Sequence, residues 1–217
     1  MTDWIRDSAS GKIIVNPTNG LPTPDPTPKL FGTTNPPLKL GIVSSISFKG
    51  FTLGGVAEYR TGNFIYNSIG GDLDFTGVSW NSARYGRQNF VIPNSVYLDG
   101  SGKYVPNTNI TVRNGNNEFW ASTLPTAQSP YLTSADFWKI REIILAYEFP
   151  QRLVSKTRAF KAINLGIVAR NVLMFRPKEN IWADPEFSNT IGNGIGTTDI
   201  NQTPTTRTYG ASLTLTF

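Results

Sequence analysis

The chemistry open to this chain is limited first by what it lacks: its 217 residues include no histidine and no cysteine. That removes Ser-His-Asp and Cys-His couples, imidazole and thiolate metal sites, and any imidazole titrating near neutral pH. A metal would need oxygen ligands alone. The acids closest in sequence are Asp184-Pro185-Glu186 and the pair Asp72 and Asp74. Two carboxylates one residue apart supply only part of a calcium shell, and the proline between them makes a rigid turn, so a structural role is expected. A glycosidase needs two acids facing each other at about 5 to 9 Å, and no convincing pair stands out. Gly192-Asn193-Gly194-Ile195-Gly196 has the glycines of a phosphate cradle without the helix that must follow. The expectation is a non-enzyme with no catalytic residue, cofactor or metal site.

Binding chemistry is better represented. Tyr66, Trp80, Tyr85, Phe90, Tyr97, Trp120, Tyr131 and Trp182 lie in polar segments, where aromatics can stack on sugar faces or anchor a protein partner. Trp80, Tyr85, Trp120 and Trp182 are the ligand or partner candidates; the simpler alternative is that large loops use such rings as their own small cores. The net charge of +5 comes from 20 Lys and Arg against 15 Asp and Glu. These cations are scattered singly, so no nucleic-acid partner is expected.

The elements that must position these residues are strands. Residues 1–40 hold seven prolines, at 17, 22, 24, 26, 28, 36 and 37, too closely spaced for helix or central strand; they read as loop, with one short strand at 13–15. Period-two alternation then takes over. Tyr209, Ala211, Leu213, Leu215 and Phe217 alternate with Thr208, Gly210, Ser212, Thr214 and Thr216. Phe51, Leu53, Gly55, Ala57 and Tyr59 alternate with Thr52, Gly54, Val56, Glu58 and Arg60, and the run before them, ending at Phe48, joins through Lys49-Gly50 as a tight hairpin. Ile163, Leu165, Ile167 and Ala169 form another apolar set, as do Ile143, Leu145, Tyr147 and Phe149; at Arg141-Glu142 the alternation breaks, which predicts a bulge. The fold class is all-β, an antiparallel up-and-down meander of about five strands of roughly ten residues each.

The links alternate in length. Those at 49–50 and 150–161 are short, whereas 62–135 and 174–206 are long and rich in Asn, Gly, Ser and Thr. In a meander, successive links lie at opposite ends, so short links share one end and long ones the other, as in a transmembrane barrel with short periplasmic turns and long extracellular loops. The segments are then an extracellular loop (1–40), a hairpin (41–60), a long extracellular loop (61–135), two strands with a periplasmic turn (136–173), a further extracellular loop (174–206) and a terminal strand (207–217). A ten-residue strand rises about 33 Å and, tilted by about 45°, covers roughly 23 Å of bilayer. Glu58, Arg60, Glu148 and Arg170 fall on the face away from the aromatic and aliphatic set and are expected to face the lumen. A soluble sandwich, a self-contained small barrel closed through weaker strands near Phe90 and Ile110, or a soluble carbohydrate-binding module are the alternatives.

Over nearly the whole length, and in order, the sequence resembles the C-terminal part of SusC/RagA-type TonB-dependent outer-membrane transporters. The resemblance begins at Gly11-Lys12-Ile13-Ile14-Val15-Asn16 and continues through Leu30-Phe31-Gly32, Phe48-Lys49-Gly50-Phe51, Glu58-Tyr59-Arg60-Thr61-Gly62 and Arg87-Gln88-Asn89-Phe90-Val91. Its most diagnostic stretches are Trp138-Lys139-Ile140-Arg141-Glu142 leading to Tyr147-Glu148-Phe149-Pro150, then Ala169-Arg170-Asn171-Val172-Leu173 with alanine where the family has glycine, then Asp184-Pro185-Glu186 and the final strand with its closing Phe217.

The resemblance implies localisation in the cell outer membrane and import of oligosaccharides or peptides. Such transporters are 22-stranded barrels with a plugged lumen, so this chain is expected to be the closing fragment of one. Implied partners are the rest of the barrel and its plug domain, a SusD-like surface lipoprotein, the TonB complex and membrane lipids. Tyr209, Leu213, Leu215 and Phe217 would form the C-terminal signal read by the barrel-assembly machinery.

Overall fold

Branched, aromatic and threonine side chains in period-two runs favour extended backbone, and the computed structural model, which describes residues 1–113 and 118–217, places long strands on all five such runs. In chain order the strands are β1 (Ile13–Ile14), β2 (Leu38–Phe48), β3 (Phe51–Thr61), β4 (Phe64–Tyr66), β5 (Ser95–Leu98), β6 (Tyr104–Pro106), β7 (Leu132–Ser134), β8 (Phe137–Glu148), β9 (Ala162–Phe175) and β10 (Thr208–Thr216). The helical pieces are short: α1 (Ser68–Phe75), α2 (Trp80–Ala83) and α3 (Gln151–Val154), with a few single turns. Among the described residues no helix is long and apolar enough to cross a membrane. The chain divides into two compact units, one of residues 1–33, 65–133 and 188–202, the other of residues 34–64, 134–187 and 203–217.

The second unit is built on a five-stranded antiparallel sheet in the order β10-β9-β8-β3-β2. Lys49 and Gly50 both take positive φ, +48° and +88°, the type I′ geometry whose twist matches paired strands and closes a two-residue hairpin. A Cβ on Gly50 would stand 2.7 Å from the Glu148 carbonyl oxygen, so the turn needs glycine for space as well as for φ. The expected bulge is present. Ala57 pairs with Ile140 but Val56 pairs with Glu142, leaving Arg141 as the extra residue of β8. Opposite it, β9 shifts register as well, and Asn171 takes φ +54°. β2 and β10 are the edges of this sheet and do not pair with each other.

The first unit contains the Pro-rich opening segment and most of the long 62–135 connection, which composition alone predicts to be loop. β1 runs parallel to β5 and β5 antiparallel to β6, while β4 pairs with β7. Its core is apolar and aromatic, with Trp4, Val15, Ile65, Phe90, Val112, Phe119, Trp120 and Tyr131 buried. Polar groups pin the irregular backbone. The buried Asp3 carboxylate accepts from Arg6 Nε at 2.9 Å and Ser129 Oγ at 2.6 Å, tying the start of the chain to a segment over a hundred residues away. Asp74, fully buried, accepts from Ser79, from Asn81 Nδ2 at 3.1 Å and from the Tyr131 hydroxyl at 3.0 Å, so its desolvation is met by donors. Phe90 and Val112 form an isolated bridge inside this unit and do not extend the five-stranded sheet.

Candidate functional site

Register turns the one-dimensional alternation into two chemically different faces. On one face a row crosses the whole sheet as Phe48, Phe51, Tyr147, Leu165 and Leu213, and the next as Ile46, Leu53, Leu145, Ile167 and Ala211. Aromatics gather at both ends of this face. At the turn end Phe51 lies on Tyr147 with ring centroids 4.3 Å apart, Tyr147 meets Phe149 at 4.9 Å, and Phe160 meets Phe217 at 5.1 Å. At the other end Tyr59 stacks on Trp138 at 4.6 Å, in line with Leu40 and Phe175. Between them stand aliphatic and small residues such as Gly55, Ala57, Ile143, Leu145 and Ile167. Much of this apolar surface is uncovered: Ile46 is 69% exposed, and Phe48, Leu213 and Phe217 lie in the same range. Tyr209, Leu213 and Leu215 of β10 belong to this face, with Phe217 immediately beyond it.

The opposite face carries the charges. Glu58, Arg60, Glu148 and Arg170 share it, with different partners. Glu58 and Arg60 join Lys139, Arg141, Asp184 and Glu186 in a cluster of three acids and three bases. Lys139 Nζ donates to both Asp184 oxygens at 2.6 and 2.7 Å and to Glu186 at 2.9 Å. Arg141 donates two bonds to Glu186, each 2.6 Å, in a bidentate fork, and reaches Glu58 through Nε at 2.8 Å. Arg60 binds both Glu58 and Glu186. The Phe137 ring lies beneath the three cations, 4.9 Å from Lys139 Nζ and 5.4 and 5.7 Å from the two guanidinium carbons. Arg170 stands outside the cluster, paired with Glu142 at 2.6 Å. Glu148 makes no ion pair among the described residues.

The bulge explains how β8 supplies so much of this chemistry. Strict alternation would send Arg141 to the apolar face; the extra residue lets Lys139, Arg141 and Glu142 all act on the charged one. Asp184-Pro185-Glu186 acquires a purpose its spacing alone did not reveal. Asp184 also accepts from the Glu186 backbone N–H at 3.0 Å, a local turn that aims both carboxylates at the strands. Burial by itself would raise the Glu186 carboxyl, but the hydrogen bonds from Arg141 and Lys139 outweigh it and hold the group at about 2. A general acid needs the reverse shift, so Glu186 is unsuited to that role.

The loop aromatics separate into different environments. Trp120 is only 5% exposed and is a core side chain, packed on Phe119 at 4.9 Å and tilted against Phe90 at 6.0 Å. Tyr85 stacks on Phe90 at 4.1 Å and carries Arg84 above its ring. Trp80 is 69% exposed, in the same unit. Trp182 belongs to the other unit and is half-buried, so the four candidates do not converge on one site. The cluster of Phe90, Phe119 and Trp120 borders a cavity of about 470 Å³.

Solved structures share this fold, among them three of a peptide importer. The RagAB peptide importer in its "open-open" state aligns over 100% of this chain with a TM-score of 0.60 and 19% identity, and covers 22% of that chain. In the "closed-closed" state the values are 0.57 and 18%, again over 100% of this chain and 22% of the other. A further structure of the RagAB peptide transporter aligns over 94% of this chain and 21% of its own, with a TM-score of 0.55 and 16% identity. The present chain therefore spans about a fifth of the length of those chains. No family model and no curated protein matches the sequence. The likeness is one of fold, antiparallel and all-β.

Lys139, Arg141, Asp184 and Glu186 meet in a charge cluster that the sequence does not announce: Asp184 and Glu186 read there as a turn and Arg141 as part of a bulge. Their signal was present in part. Arg141-Glu142 marked the bulge, and a charged pair inside an otherwise apolar strand asks for partners. The identity of those partners, more than forty residues later in a glycine- and asparagine-rich segment, has no local signature.

Proposed function

We propose that this chain is the C-terminal barrel segment, with surface loops, of a SusC/RagA-like TonB-dependent transporter of the outer membrane that imports oligosaccharides or peptides. The observation that carries this reading is the uncovered apolar face. Soluble proteins rarely expose contiguous apolar patches beyond a few hundred Å², whereas a lipid-facing sheet requires one, bordered by aromatics at each interface. From Phe51 to Tyr59 is about 26 Å along the strand, or about 20 Å of bilayer normal at a tilt near 40°, close to the apolar band of outer-membrane barrels.

Two further features support the reading. In lipid, the free edges of β2 and β10 would each leave backbone groups unsatisfied at several kcal/mol apiece, so they call for additional strands that pair there and complete a ring. Glu58, Arg60, Glu148 and Arg170 then face the lumen, beside a plug, and Tyr209, Leu213, Leu215 and Phe217 serve as the barrel-assembly signal. The neighbours in fold are named peptide importers and are not enzymes, which favours transport over catalysis. A SusD-like surface lipoprotein would complete the complex on the loop side, with TonB acting from the opposite side through a part of the protein outside this chain.

The test is to isolate the full-length protein that contains this chain from outer-membrane fractions and compare its uptake of labelled peptides and oligosaccharides with and without TonB. TonB-dependent uptake of either class, together with co-purification of a lipoprotein, is the expected result. A protein found in the soluble fraction would overturn the proposal.

A further inference from the structure

The cavity of the first unit combines an aromatic wall with a cation, Arg84, that has no carboxylate partner among the described residues. Its volume, about 470 Å³, lies within the range of small-ligand pockets. Phe90, Phe119 and Trp120 form one side, with Phe119 edge-on to both neighbours at 5.4 and 4.9 Å. The polar groups at its border are mostly engaged. Arg6 and Ser129 both donate to Asp3, and the Asn81 amide donates to Asp74. Arg84 differs. Its Nη2 donates to the Tyr85 hydroxyl at 2.9 Å and its guanidinium lies 4.8 Å above that ring, but it has no carboxylate partner among the described residues.

One stack runs from Arg84 through Tyr85 to Phe90 and on to the buried pair Phe119 and Trp120. A guanidinium resting on an aromatic ring loses little further freedom on binding, and its remaining N–H donors match the geometry of a carboxylate. The aromatic wall offers edge and face contacts to a ring of the ligand.

We propose that this cavity is a binding site for an aromatic group that carries a carboxylate, either a small aromatic acid or a chain end with an aromatic last residue. The ring enters against Phe90, Phe119 and Trp120, and the carboxylate pairs with Arg84. The site belongs to the first unit alone and does not depend on the transport reading.

Titration of the full-length protein with N-acetyl-phenylalanine, N-acetyl-phenylalaninamide and acetyl-Ala-Ala-Phe, followed by tryptophan fluorescence, tests it. The acid should bind at least tenfold tighter than the amide. Arg84 is exposed, so Arg84→Gln should leave the fold intact, abolish that preference and keep weak binding of the amide; replacing both cavity tryptophans, Trp4 and Trp120, with Phe should remove most of the fluorescence change. Tighter binding of the tripeptide supports a chain end, and equal binding of the two acids supports a small aromatic acid. Equal affinity for acid and amide, an acid preference that survives Arg84→Gln, or no saturable binding of any of the three overturns the proposal.

Discussion

Lys139 is 4% exposed and would be costly to bury alone; Asp184 is what makes its charge tolerable. Breaking a buried pair from one side typically costs about 3 to 5 kcal/mol, and Glu186 remains as a second acceptor here, so Asp184→Ala should destabilise by about 3 kcal/mol in denaturant titration. A loss below about 1 kcal/mol would mean the cluster is hydrated and weak. Acid should act through Glu186. Its folded carboxyl is held at about 2 against an ordinary value of 4.5, so its contribution is complete above the ordinary value and is lost as pH falls from there towards 2. Glu186→Gln should flatten that part of the stability profile. At this scale the sequence was half legible. Parity groups Glu58 with Arg60 on one face, whereas Asp184 and Glu186 read only as a turn, because their partners depend on how a long irregular segment folds back onto the strands.

Strands were the most legible level, since a period of two is a local property and register follows once one face is apolar. The Lys49-Gly50 turn and the bulge at Arg141 were both readable because each breaks or closes the alternation at an identifiable pair. What was not readable was the first unit. Its core is assembled from three segments far apart in sequence, with isolated bridges and short turns in place of long periodic elements, so nothing local shows that Trp120 is buried on Phe119 and Phe90 at the border of a cavity. The two faces of β8 make different predictions. Ile143, midway between Trp138 and Tyr147 on the apolar face, should cost about 2 to 4 kcal/mol as Ile143→Arg if it meets mid-bilayer lipid. Its neighbour Ile144, on the charged face, should accept arginine at under about 1 kcal/mol. Equal costs in membrane-based folding assays would contradict the assignment of faces. Deleting Phe217 from the full-length protein should lower the yield of inserted barrel, read by heat-modifiable mobility of the outer-membrane fraction, and an unchanged yield would remove the assembly role of the chain end.

At the scale of the whole molecule, one sheet with an apolar face, a charged face and two open edges belongs to a chain that also builds a separate loop-derived unit. This chain has no cysteine of its own, so the most direct test of the central claim places labels in it after any cysteines elsewhere in the full-length protein have been replaced by serine. Single cysteines placed in turn from residue 140 to residue 147 of β8 in the full-length protein, spin-labelled in outer-membrane vesicles, report collision with oxygen from lipid and with a water-soluble paramagnet. Membrane spanning predicts a two-residue alternation, with Ile143, Leu145 and Tyr147 facing oxygen, Ile144 and Ala146 facing water, and the phase shifting at the Arg141 bulge. Uniform access to the water-soluble reagent at all eight positions would contradict it, and with it the reading of this sheet as the wall of a transporter.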